Sequence, residues 1–127
     1  NAKPDGNCQL GTTTQATGGR AVLVENNGTI DANITAQSTP FFTSLTALPD
    51  GNRFGCKASY GESGASIAQM WATTFLDCYN GSAPKIIGCL AYADAGDLAR
   101  IDFNVHIPPD EPPGLKQGTI TLTATAC

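Results

Sequence analysis

At 127 residues the chain is the length of one domain and can bury a single sizeable core. Charged residues make up 14%, well below the roughly 25% of ordinary globular chains. Seven Lys and Arg in a net charge of −4 argue against nucleic acid as a partner, because phosphate binding needs clustered cations.

No apolar run approaches the ~20 residues that span a bilayer, so no transmembrane segment is expected. The first residues, NAKPDGNC, lack a methionine, and a mature form with its signal already removed is expected.

Residues 1–19 hold little to bury beyond Cys8 and Leu10 and close on a double glycine. Such a segment cannot offset its own ordering entropy, so it reads as an extended tail set apart from a domain over 20–127. Yet Cys8, Leu10, Thr12, Thr14 and Ala16 alternate with polar residues and glycine. That is the pattern of a donor strand that needs another sheet to pair with.

From Arg20 to Gln37 the alternation strengthens: Val22 and Val24, a turn or bulge at Asn26-Asn27-Gly28, then Ile30, Ala32, Ile34 and Ala36. Phe41 to Leu48 is a short apolar segment that ends at the turn Pro49-Asp50-Gly51-Asn52. Phe54 to Tyr60 reads as a strand carrying Cys56. Ser66 to Asp77 fits a helical face through Ile67, Met70, Trp71, Thr74 and Phe75. It fits a strand through Trp71, Thr73 and Phe75, and the β-rich surroundings favour the strand. YNGSAPKIIG, between Cys78 and Cys89, reads as a loop, Leu90 to Tyr92 as a short strand, and Asp94 to Asp97 as a turn.

The strongest signal is the last. Ile101, Phe103, Val105 and Ile107 alternate with polar residues, as do Ile120, Leu122, Ala124 and Ala126 with threonines. PPDEPPGLKQG between them excludes helix and central strand. Two half-buried strands are predicted, with Ile101, Phe103, Val105, Ile107, Ile120 and Leu122 in one core. The fold class is all-β, an antiparallel β-sandwich.

Five cysteines without a CxxC favour structural disulfides over a metal site. Cys78 and Cys89 bracket a turn and are the expected intramolecular bridge. Cys8 in the tail and Cys127 at the terminus are the pair most free to meet across subunits. Cys56 would then remain as a buried thiol. Asn27, Asn33 and Asn80 each begin an N-x-S/T sequon and are candidate carriers of N-linked glycans, which with the cysteines points to an extracellular location.

Catalytic readings fail on the residues. His106, the single histidine, lies on the polar face of a strand. Ser63 in GESGA lacks the spacing of a nucleophile elbow. The pairs Asp94 with Asp97 and Asp110 with Glu111 sit in turns, as solvated acids do. No catalytic residue, metal ligand or cofactor site is expected, and Trp71 with Tyr60, Tyr79 and Tyr92 reads as core before it reads as a sugar platform.

AVLVENNGTIDANITAQ at 21–37 and IDFNVHIPPDEPPGLKQGTITLTAT at 101–125, about a third of the chain, resemble the first and last strands of secreted Ig-like β-sandwiches of prokaryotic, notably archaeal, cell surfaces. Some of these are subunits of archaeal threads and bundling pili. The resemblance implies an Ig-like or jelly-roll-like fold, heavy glycosylation, and head-to-tail self-assembly in which the tail completes the next subunit's sheet. The alternative expectation is a monomeric surface module that adheres or binds carbohydrate.

Overall fold

The computed structural model describes residues 7–10, 22–44, 53–60, 72 and 74–127. Among them are eight strands and no helix: β1 (Asn7–Leu10), β2 (Val22–Glu25), β3 (Ala32–Ser38), β4 (Phe54–Tyr60), β5 (Leu76–Asp77), β6 (Lys85–Leu90), β7 (Leu98–His106) and β8 (Ile120–Ala126). Every pairing is antiparallel. One sheet runs β5-β4-β7, with β1 and β2 end to end along the far edge of β7. The other runs β6-β3-β8. The chain is an antiparallel β-sandwich, as its alternation predicts.

β7 is the organising strand. Its inward residues Ala99, Ile101 and Phe103 are buried, facing Ile34 and Ala36 of β3 and Ile86, Ile87 and Leu90 of β6 in one cluster. Phe54 of β4 stacks on Phe103 with ring centres 5.2 Å apart. Contact of this kind adds to the area that two large rings take out of water.

The predicted core is right at Ile101 and Phe103, partly right at Val105, which is half-buried against the cluster, and wrong at three positions. Ile107 is 51% exposed, Ile120 42% and Leu122 36%. Ile107 lies past the end of β7, where the ladder has stopped. On β8 the alternation is real: Ile120, Leu122 and Ala124 sit opposite Ser38, Ala36 and Ile34, on the inward face. But β8 is an edge strand, and all seven of its residues are exposed. An inward-facing side chain is buried only where the other sheet lies over it.

β6 is a second departure. Four of its six residues, 85–88, fall inside the stretch read as a loop before Cys89. After the exposed Lys85 the strand runs Ile-Ile-Gly-Cys-Leu with no period of two, which hides a buried strand from the pattern. It also carries a bulge: the register with β3 moves from Ala32↔Leu90 to Ile34↔Ile87, one residue extra on β6. Cys89 sits there at φ 47°, the left-handed region.

Leu76–Asp77 is strand, as favoured for that segment. Ala72, Thr74 and Phe75, expected in the same strand, are not strand; the remainder of that reading, Trp71 included, and the donor positions Thr12, Thr14 and Ala16 lie outside the described residues. Residues 41–44 form no strand. They are anchored instead by Tyr79, whose hydroxyl accepts from the backbone N–H groups of Phe41 and Phe42 at 3.1 and 3.0 Å.

Candidate functional site

Four features of the sandwich could carry function: its free and borrowed edges, its modification sites, two polar clusters and a cleft. The first edge belongs to β7. β2 pairs with residues 98–101 and β1 with residues 103–106, Cys8 opposite Val105 and Leu10 opposite Phe103. Asn7–Leu10, expected to await a neighbour's sheet, therefore pairs with the sheet of its own chain. The second edge is β8, uncharged along its whole length and exposed on both faces. Long uncharged edges without proline or bulge are ready templates for another strand.

The disulfides differ from the expected set. Cys56 joins Cys78, and Cys89 joins Cys127, with Cα atoms 6.0 and 5.6 Å apart. Cys78–Cys89 is not the bridge, because the residues between them are strand as well as turn and carry the two cysteines apart. Cys78 follows β5 and is buried beside Cys56 of β4; its N–H donates to the Phe54 carbonyl, and its carbonyl accepts from Ser38 at 2.6 Å. Cys127 passes beyond the start of β3, donating to Asp31 O at 3.0 Å, and meets Cys89 on the bulge. Cys127 is thus committed within the chain and unavailable to Cys8 of a neighbour. Cys56, expected as the leftover thiol, is bridged. Of the five cysteines, Cys8 is the one outside both bridges.

The three sequons are unequal. Asn27 is exposed beside a turn built by Asn26, whose amide donates to the Ile30 and Leu90 carbonyls at 2.9 Å each. Asn80 is exposed at the tip of a two-residue turn, with φ 50° there and 86° at Gly81, closed by Ser82 N–H to Tyr79 O at 3.2 Å. Asn33 lies on the outward side of β3, as read, but its side chain is occupied. Its Oδ1 accepts from Cys89 N–H at 3.3 Å and its Nδ2 donates to Ala126 O at 3.4 Å. That amide ties the bulge to the end of β8, so Asn33 is the poorest acceptor of the three.

Two polar clusters were not foreseen. In the first, Glu111 of the proline-rich connection accepts from the N–H groups of Thr43 and Ser44 at 3.0 and 2.7 Å and from Lys116, while Ser44 Oγ donates to Asp110 at 2.6 Å. These bonds hold the Glu111 carboxyl down to about 2, against the burial that alone would raise it. Asp110 and Glu111, read as solvated acids, are a clasp between two loops. The second cluster lies on the outer face of the larger sheet, where Lys57, Asp102, Asn104 and His106 come together. Asp102 is 2% exposed and Asn104 6%. Burial pushes the Asp102 carboxyl above its ordinary range, with Lys57 and Arg100 pulling the other way. The polar half of RIDFNVH was the available signal, but alternation cannot say that an outer face is covered.

A cleft of about 420 Å³ opens between Phe42, Ser44, Arg53, Asp77, Tyr79 and Asn80. The Arg53 guanidinium stands 5.9 Å from the centre of the Tyr79 ring. Among the described residues no cluster of His, Cys, Asp or Glu could hold a metal ion, and no helix is long and apolar enough to cross a membrane. Comparison with family models, curated proteins and solved structures returns no match to the chain.

Proposed function

We propose that the chain is a structural subunit of an extracellular filament, polymerising head to tail by giving its N-terminal strand to the next copy's sheet. The observation that carries this reading is the place of β1, a four-residue strand on the edge of β7. An edge strand is held through one ladder, and the same bonds form whether it comes from its own chain or from a copy. Eleven residues, 11–21, separate β1 from β2. Extended, they reach roughly 36–40 Å, while four strands at about 4.8 Å spacing make a sheet about 15 Å across. β1 can therefore leave its slot for a neighbour's without disturbing its own sandwich. Main-chain bonds then supply affinity, and alternate side chains supply register.

The extracellular part of the reading is supported by two intrachain disulfides, which suit an oxidising compartment, and by Asn27 and Asn80, exposed where glycans could be attached. Negative-stain microscopy with light scattering tests the proposal. The intact chain should form long polar fibres, and a chain lacking residues 1–17 should stay folded and monomeric. Fibres from the truncated chain would overturn it.

The cleft beside Tyr79 favours a second reading, a surface module that binds carbohydrate. Aromatic walls with an arginine, an acid and an amide are the chemistry that sugar hydroxyls and ring faces meet. Titration with a glycan panel separates the two readings, since saturable binding lost in Arg53→Ala, with no fibres, selects the module.

A further inference from the structure

Lys57, Asp102 and Asn104 share the outer face of the larger sheet. Lys57 is the direct cross-strand partner of Asp102, and Asn104 is that of Gly55. Asn104 is therefore the diagonal neighbour of Lys57, a relation that long side chains on a sheet can bridge. Gly55 allows the approach. A Cβ there would lie 2.2 Å from Asn104 Oδ1, so the amide reaches across the backbone of the strand that carries Lys57. Lys57 Nζ stands 3.9 Å from Asp102 Oδ2 and 4.8 Å from the centre of the Phe75 ring.

The site is incomplete. Asp102 Oδ1 and Asn104 Oδ1 are both buried without a hydrogen-bond partner. Two such oxygens on adjacent outer positions of one strand are costly as ordinary structure. An amine beside a buried carboxyl and a buried carboxamide are also the components of an acyl transfer.

We propose that Lys57 and Asn104 are joined by an intramolecular isopeptide bond, formed without any other protein or cofactor, with Asp102 as the proton carrier. Within the pair, half-buried Lys57 and buried Asp102, the proton passes from the ammonium to the carboxylate, giving a neutral amine and a carboxylic acid with no change in net charge. The amine lone pair attacks Asn104 Cγ while the acid gives its proton to Oδ1. The Asp102 carboxylate then takes a proton from Nζ and passes it to Nδ2, and as the carbonyl re-forms the proton on Oδ1 returns to Asp102. The bond from Cγ to Nδ2 breaks, and Nδ2 leaves with the extra proton as ammonia. One C–N bond replaces another, and nothing is oxidised or reduced. The leaving nitrogen faces His106 Nε2 at 3.4 Å, on the more exposed end of the cluster.

The product also accounts for the orphaned oxygens. The new amide N–H can donate to Asp102, and the protonated Asp102 can donate to the new carbonyl. Burial raises the Asp102 carboxyl in the direction this role requires.

Mass spectrometry of the reduced, deglycosylated native chain decides the matter. The expected mass is about 17 Da below that of the sequence, one ammonia lost, with a branched tryptic peptide linking Lys57 to Asn104. Lys57→Arg, which keeps the charge, and Asp102→Ala should each restore the full mass. The wild-type measurement stands even where a variant fails to fold. A full-mass wild type overturns the proposal. So does a loss of about 18 Da with a Lys57–Asp102 link, which would make Asp102 the acyl group instead of the proton carrier.

Discussion

Phe103 and Glu111 show how differently single residues hold this sandwich. Phe103 is 2% exposed and stacked on Phe54. Phe103→Ala should cost about 3–5 kcal/mol in denaturant unfolding, from lost burial and the cavity left behind. Glu111 acts through charge. Its carboxyl titrates near 2 in the folded chain against an ordinary 4.5. A depressed carboxylate stabilises fully above its unfolded pKa, and that contribution is lost as pH falls from about 4.5 towards 2. Unfolding curves of the wild type and Glu111→Gln should therefore differ at neutral pH and converge near pH 2. Phe103 was legible because its alternation coincides with a covered face. Glu111 was not, because proline-bounded acids look alike whether or not two loop amides converge on them.

Among the elements, β3, β4, β7 and β8 could be read from alternation, and β6 could not. Strands covered on one face announce themselves by a period of two. A strand buried on both, as KIIGCL nearly is, has no polar rows to mark it. The missed strand also misdirected the cysteine pairing, since a loop between Cys78 and Cys89 would have let them meet. A non-reducing peptide map should show Cys56–Cys78 and Cys89–Cys127. Alkylation of the denatured, unreduced chain should label Cys8 alone. Removing the Cys89–Cys127 bridge, which closes 38 residues, should cost roughly 3–4 kcal/mol on the loop-entropy account.

At the scale of the whole molecule the sandwich is unevenly closed. The β7 edge is filled by two short strands, while β8 is left with uncharged residues open to solvent. Sheets usually guard such an edge with a charge. Leu122→Lys places one there and should lower concentration-dependent association in analytical ultracentrifugation, with little change in melting temperature. The sandwich itself was legible, because it follows from where apolar residues recur. Its open side was not, because coverage depends on how far one sheet extends over the other.

The bridge from Cys89 to Cys127 sets how the chain would yield to force. A pull on the C-terminus does not reach β8 first. It enters at Cys89, on the edge strand β6, and the segment from 89 to 127 stays a closed ring. Thirty-eight residues of separation, about 130 Å of contour at roughly 3.4 Å each, are withheld from extension. In the Lys57→Arg chain, which cannot carry the proposed cross-link, single-molecule stretching under reducing conditions should recover that length together with what the Cys56–Cys78 ring withholds. Under oxidising conditions the chain should stop short of it, behaving as a tether with a fixed limit of stretch.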